Sequence, residues 1–177
     1  MNPESPWLRS AVVVAVIFLL HEAVLRSLRI DGIRPDLLLG LGIVAALVGG
    51  PEAGAVVAFV ACLLGDLFVN TPFGLSALVG CTVAYVAGSV QAALGPNQRW
   101  SIPVLVGLGS AAGEAMWASL GTVLGLQGLL RPHLLVIVVV VSSVNVVAAL
   151  PLTVLARWVF AGDADQATGP ATRGFAS

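Results

Sequence analysis

Six long apolar stretches fill most of this chain, and short turns or charged residues separate them. Their approximate limits are 8–28, 35–48, 52–69, 74–94, 102–127 and 132–160. Hydrophobic residues make up 58% of the 177 residues and charged residues only 10%, whereas a soluble domain usually carries about 25% charged residues. A soluble fold of this size has too little interior for so much apolar side chain, so the sequence predicts that the solvent is lipid.

The lengths of the apolar stretches favour helices over barrel strands. A membrane-spanning helix needs about 20 mostly apolar residues, whereas a barrel strand needs about ten residues that alternate between apolar and polar. We therefore predict an all-α, polytopic membrane protein with six transmembrane helices in one domain, residues 1–161. Segment 35–48 is short, and the sequence leaves open whether it crosses the bilayer fully. Residues 162–177 are rich in Gly, Ala, Thr and Asp, which predicts a disordered tail.

Charge does not orient the predicted bundle. Six spans put both termini on one face, which collects Arg9, Arg99, Arg157 and Arg173, whereas the other face collects Arg26, Arg29, Arg34 and Arg131. Four arginines on each face give no positive-inside signal. The net charge of −1 gives no electrostatic case for nucleic acid as a partner.

Acidic residues in or beside the apolar stretches are the strongest functional signal. They are Glu22, Asp36, Asp66 and Glu114. An ionisable group at bilayer depth costs roughly 2.5–3.5 kcal/mol, so it usually marks a cavity, a partner or a pathway. Alternating helix directions put Asp66 on the same face as Asp36. We predict that the two lie at one mouth of the bundle, where Arg34 or Arg26 can pair with Asp66.

Glu114 and Asn145 fall near the middle of the last two segments. Helical spacing puts Ser110 and Glu114 on one face of the fifth segment, and Ser142 and Asn145 on one face of the sixth. We predict that these two faces meet and that Glu114 contacts Asn145. Two interpretations stay open at this point: a structural hydrogen bond that joins two helices, and a ligand or proton site.

Small residues recur at helical spacing in the third and fourth segments. They are Gly54, Ala58, Ala61 and Gly65 in the third, and Ser76, Gly80, Ala84 and Gly88 in the fourth. Such spacing lets helix backbones approach closely where lipid supplies no hydrophobic drive. Two interpretations explain this spacing: tight packing within this bundle, and pairing with the helix of a partner protein.

The sequence carries no recognisable catalytic or metal-binding pattern. It has no His-Glu-x-x-His motif and no paired aspartates of the intramembrane protease kind. His21 and His133 stand near segment ends without ligand-spaced cysteine or carboxylate neighbours. Cys62 and Cys81 lie inside apolar segments, where we expect small core residues. The sequence thus predicts a protein that is not an enzyme and that has no metal and no cofactor.

Short motifs open the second and fourth segments and close the third. They are Arg34-Pro35-Asp36 before three leucines, Gly50 and Gly54, Gly65-Asp66-Leu67-Phe68, and Thr71-Pro72-Phe73-Gly74. This series resembles the rod shape-determining protein MreD family, which has Pro-Asp-Leu-Leu-Leu at its second helix and Asp-Leu-Leu at the end of its third. The stretch from Asn145 through Pro151 to Arg157 is similar to the family's last helix. Phe68 and Phe73 depart from the pattern, because the family usually has leucine at both positions.

The resemblance implies a six-helix protein of the bacterial inner membrane with both termini in the cytoplasm. Its helix arrangement would resemble the substrate-binding subunits of energy-coupling factor transporters. The implied function is a non-enzymatic scaffold of the cell-wall elongation machinery, which binds MreC and couples the cytoskeletal MreB to the RodA glycosyltransferase and a class B penicillin-binding transpeptidase. The candidate partner or cavity residues are Arg34, Pro35, Asp36, Asp66, Glu114 and Asn145.

An alternative function stays open beside the scaffold. A vitamin-like small-molecule binding subunit of a membrane transporter would share the helix count and a cavity open to one face. Such sites combine apolar walls with a few convergent polar groups. Asp66, Glu114, Trp117 and Asn145 would provide those groups.

Overall fold

The computed structural model describes residues 11–19, 36–68, 73–95, 100–126 and 134–167. These residues form helices and no strand, so the predicted all-α class is confirmed for this part of the chain. The helices are α1 (residues 11–19), α2 (Leu37–Gly49), α3 (Pro51–Asp66), α4 (Leu75–Leu94), α5 (Ser101–Val123) and α6 (Leu134–Ala167).

The ends of the helices differ from the predicted segments by three residues or more at three places. Helix α5 ends at Val123, four residues before the predicted limit. Helix α3 ends at Asp66, three residues before the predicted limit. Helix α6 continues to Ala167, six residues into the predicted tail. Extending an existing helix costs far less than nucleating one, and Ala164, Gln166 and Ala167 are good helix formers. Residues 168–177 lie outside the described part of the chain.

Helix α2 is the centre of the bundle. Every residue from Leu38 to Ala46 is buried, and the helix contacts α3, α4, α5 and α6. Its 13 residues span only about 20 Å. The sequence of α2 has no polar face, as is typical of a helix that is surrounded by protein.

Small residues bring the backbones of α2, α3 and α4 close together. A Cβ atom on Gly54 would overlap Ala46 of α2, and a Cβ atom on Gly42 would overlap Ala58 of α3. On α4, a Cβ atom on Gly80 would lie 2.7 Å from the Sγ atom of Cys62. The small residues at these crossings therefore serve packing within the bundle, as the first of the two interpretations expects.

Large apolar side chains cover the outward faces of the helices. The exposed fraction reaches 73% for Leu150, 65% for Leu108 and 55% for Leu78, on three different helices. Two helical stretches, Leu75–Leu94 and Leu135–Phe160, are long and apolar enough to cross a bilayer by length and composition.

Candidate functional site

Asp36 caps the central helix. Its Oδ1 atom accepts hydrogen bonds from the backbone N–H groups of Leu38 (3.0 Å) and Leu39 (3.1 Å). The first N–H groups of a helix have no partner within the helix, and an aspartate at the N-cap position supplies one. Arg34 and Pro35, which precede Asp36 in the predicted site, lie outside the described residues.

Asp66 caps a different helix from the one that carries it. Its side chain is 5% exposed at the end of α3, and its Oδ2 atom accepts hydrogen bonds from the backbone N–H groups of Gly74 (3.0 Å) and Ser76 (3.1 Å). Helix α4 has no cap from its own N-cap residue, because Gly74 has no side chain. The carboxylate also lies at the positive end of the α4 dipole, which stabilises its charge. Asp66 therefore joins α3 to α4.

Asp36 and Asp66 lie at the same end of the bundle, as predicted. Beside Asp36, Leu38 contacts α3 next to Asp66, since a Cβ atom on Gly65 would lie 3.0 Å from the Cδ1 atom of Leu38. The Cys62 thiol lies within electrostatic range of both carboxylates. We call this end, with Asp36 and Asp66, the acidic mouth.

Helix α5 reaches the acidic mouth through Trp117. The indole Nε1 group of Trp117 donates a hydrogen bond to the Oγ atom of Ser76 at 3.2 Å. Ser76 thus binds Asp66 through its backbone and Trp117 through its side chain. The sequence analysis did not predict this role of Ser76. The one feature that could have indicated it is the position of the Ser76 hydroxyl in the first turn of α4, a helix without a side-chain cap of its own.

Asn145 joins α6 to α5 inside the bundle. Its Nδ2 group donates a hydrogen bond to the Oγ atom of Ser110 at 2.9 Å, and both side chains are fully buried. The predicted meeting of the two helix faces is confirmed. The hydrogen-bond partner of Asn145 is Ser110 and not Glu114, which lies one turn nearer the mouth. A neutral hydroxyl can be buried at lower cost than a carboxylate, and Glu114 stays partly exposed.

Two buried oxygen atoms beside this bond have no hydrogen-bond partner: Asn145 Oδ1 and Ser142 Oγ. The Asn145 oxygen faces α2, where a Cβ atom on Gly40 would lie 3.0 Å from it. We call the region formed by Gly40, Ser110, Glu114, Ser142 and Asn145 the polar seam; it lies between α2, α5 and α6.

The polar seam continues towards the acidic mouth. Asp36 stands one helical turn before Gly40, Glu114 one turn after Ser110, and Ser142 one turn before Asn145. In each pair, the first-named residue lies nearer the acidic mouth than the second. The carboxylates of Asp36 and Glu114 lie within electrostatic range of each other. Of the predicted candidates, the fold thus places Asp36, Asp66 and Glu114 towards the mouth and Asn145 deeper in the bundle.

Gly40→Ala is expected to lower the free energy of unfolding by about 1–3 kcal/mol, because the new methyl group must push the Asn145 amide away from Ser110. Unfolding of the purified protein in detergent measures this change. Gly109→Ala is the matched control, since its Cβ atom would lie 3.0 Å from the flexible Cδ1 end of Ile43 and in ordinary contact with the Cγ1 atom of Val83 at 3.5 Å. We expect Gly109→Ala to be nearly neutral. Equal losses for both variants would contradict the proposed role of Asn145.

Comparisons with known proteins supply no family for this chain. No protein-family model, no curated protein and no solved structure matches it. Within the described ranges, no group of three His, Cys, Asp or Glu side chains is placed to hold a metal ion.

Proposed function

We propose that the chain is an integral membrane protein whose six helices cross the bilayer, with both termini on one face. The exposed apolar faces of α4, α5 and α6 support this proposal, because soluble monomers rarely expose contiguous apolar patches larger than a few hundred Å². The position of α2 supports it too. A helix too short to span the hydrocarbon core comfortably can be accommodated where protein surrounds it.

Within that membrane setting, we propose a non-enzymatic scaffold of the MreD kind. It would lie in the bacterial inner membrane with its termini in the cytoplasm and would bind an MreC-like partner. Through that partner it would help to couple MreB to RodA and a class B penicillin-binding transpeptidase. In this orientation the acidic mouth faces away from the cytoplasm.

The observation that supports the scaffold proposal most is the hydrogen bonding of Asp36 and Asp66. These two aspartates belong to the motifs that resemble the MreD family. Asp36 and Asp66 bind backbone N–H groups at the first turns of α2 and α4. Carboxylates used in this way hold helices in place and are less available for catalysis. They support a rigid frame of α2, α3 and α4 that presents its outer helix faces to partners.

Three exposed helix faces are available for such a partner. Their central residues are Phe59 on α3, Val86 on α4 and Leu150 on α6, which are 45%, 54% and 73% exposed. A face that contacts only lipid tolerates a larger apolar side chain, whereas a face packed against a partner helix does not.

Affinity purification of the tagged chain in mild detergent tests the scaffold. We expect an MreC-like protein among the recovered partners. We also expect tryptophan at one of the three positions, Phe59, Val86 or Leu150, to reduce its recovery at least fivefold. The other two substitutions are the matched controls and should leave recovery and membrane insertion unchanged. Absence of any MreC-like protein, or full recovery with all three variants, would refute the scaffold.

The second candidate is the vitamin-like binding subunit of a transporter. The two unpartnered oxygens of Ser142 and Asn145 favour it, because buried polar atoms without partners are typical of places where a ligand completes the hydrogen bonding. Native mass spectrometry of the purified protein separates the two functions. An organic ligand that stays bound favours transport, and its absence together with a recovered MreC-like protein favours the scaffold.

A further inference from the structure

The polar seam combines buried oxygen atoms that lack a hydrogen-bond partner with nearby carboxyl groups. Asn145 Oδ1 and Ser142 Oγ are buried without partners, and the carboxyl groups of Asp36 and Glu114 lie nearer the mouth than Asn145. Arg157 is the one basic residue in the described ranges, and it stands fifteen residues beyond Ser142, or about 22 Å along α6. The described residues therefore leave the seam without a positive charge.

Ser142 differs from the other hydroxyl residues of α6. The hydroxyl of Ser143 donates to the carbonyl oxygen of Val139, and that of Thr153 donates to the carbonyl oxygen of Leu150. This bond to the preceding turn is the usual way to satisfy a hydroxyl in a helix. The Ser142 hydroxyl does not make it, although its oxygen is buried. Ser142 therefore keeps its hydrogen-bonding capacity for a group in the seam.

We propose that the polar seam binds a cation that carries N–H donors, namely an ammonium or guanidinium group. The carboxyl groups of Asp36 and Glu114 favour a positive charge, and the N–H groups donate to the unpartnered oxygen atoms of Asn145 and Ser142. A water molecule would supply donors without the charge. A hard metal ion would supply the charge without the N–H donors, and no group of three His, Cys, Asp or Glu side chains occurs in the described ranges.

The ammonium or guanidinium group has two candidate sources. One is a free ammonium ion that enters from the acidic mouth. The other is an arginine of this chain, of which Arg34 is the nearest in sequence, two residues before Asp36. The binding site is the same in both cases, and the experiment distinguishes them.

Thermal unfolding of the purified full chain in detergent tests the site. Methylammonium chloride is compared with tetramethylammonium chloride, which has the same charge and no N–H donors, and with sodium chloride at equal ionic strength. Where Arg34 does not already occupy the seam, we expect methylammonium alone to raise the unfolding midpoint, by about 3 °C at saturation. Ser142→Ala and Glu114→Gln should each reduce that shift by at least half. Ser143→Ala is the matched control and should keep the full shift.

Arg34→Gln distinguishes the two sources. If Arg34 occupies the seam, methylammonium has no effect on the original chain and stabilises Arg34→Gln. If the ligand is a free ammonium ion, both proteins respond. The proposal is wrong if neither protein responds, if tetramethylammonium acts as strongly as methylammonium, or if Ser142→Ala and Glu114→Gln both keep the full shift. None of these results depends on an MreC-like partner, so the scaffold and the cation site can fail separately.

Discussion

Asp66→Ala is expected to lower the free energy of unfolding by about 2–4 kcal/mol, measured by unfolding of the purified protein in detergent. The substitution removes the acceptor of the Gly74 and Ser76 N–H groups, which then lie unpaired at the first turn of α4. An unpaired backbone group is costly where water cannot replace the lost partner. Ser76 also accepts the hydrogen bond of Trp117, so a displaced Ser76 also weakens the contact between α4 and α5.

Two further variants separate the cap from the charge of Asp66. Asp66→Asn keeps a side-chain oxygen that can accept at least one of the two bonds, so we expect less than half of the loss. Glu52→Gln removes a carboxylate that is exposed in the first turn of α3, and it should change stability little. If Asp66→Asn were as damaging as Asp66→Ala, the charge and not the cap would be the stabilising feature.

The same Asp66→Ala variant also tests the scaffold proposal. Membrane insertion should remain intact, because the change makes the end of α3 more apolar. Recovery of an MreC-like partner should fall as the start of α4 loosens. Unchanged recovery from a demonstrably destabilised variant would show that the partner binds away from the α3–α4 turn.

Sequence reasoning located most helices because the length of an apolar run is a direct physical requirement for an apolar helix. It did not identify α2 as the centre of the bundle. Hydropathy measures only how apolar a segment is. Because lipid and the protein interior are both apolar, hydropathy does not distinguish a helix surrounded by protein from one that faces lipid. The available signals were the absence of any polar face in Leu37–Gly49 and the small residues Gly40 and Gly42 within it.

The acidic mouth was predictable, whereas the bonds within it were not. Alternating helix directions are enough to place Asp36 and Asp66 at one end. The cap that Asp66 provides depends on the course of the chain between α3 and α4, which periodicity does not determine. The choice of Ser110 over Glu114 depends on the cost of burying a charge next to Asn145. A rule that a fully buried asparagine pairs with a neutral hydroxyl would have favoured Ser110.

Gly54→Ala is expected to be the most damaging glycine substitution among the α2–α3 contacts, with a loss of about 2–4 kcal/mol in the free energy of unfolding. In an ordinary helix the change from glycine to alanine is stabilising by roughly 0.5–1 kcal/mol. Here the new methyl group would occupy the space of Ala46, whose backbone atoms are nearly as close as its Cβ atom. Backbone cannot rotate away as a flexible side chain can, so α2 and α3 must separate. Unfolding in detergent measures the loss, and Ala112→Val on the exposed face of α5 is the control for a larger side chain in a helix.

A pair of double variants distinguishes contact with the backbone from contact with a methyl group. Gly42→Ala meets first the Cβ atom of Ala58, and the Cα atom follows at 2.8 Å. Adding Ala58→Gly should therefore recover a measurable part of the loss caused by Gly42→Ala. Adding Ala46→Gly to Gly54→Ala should recover almost nothing, because the Cα and N atoms of Ala46 remain in the way. Equal recovery in the two pairs would mean that side chains alone set the distance between α2 and α3, and that the central helix can shift within its neighbours.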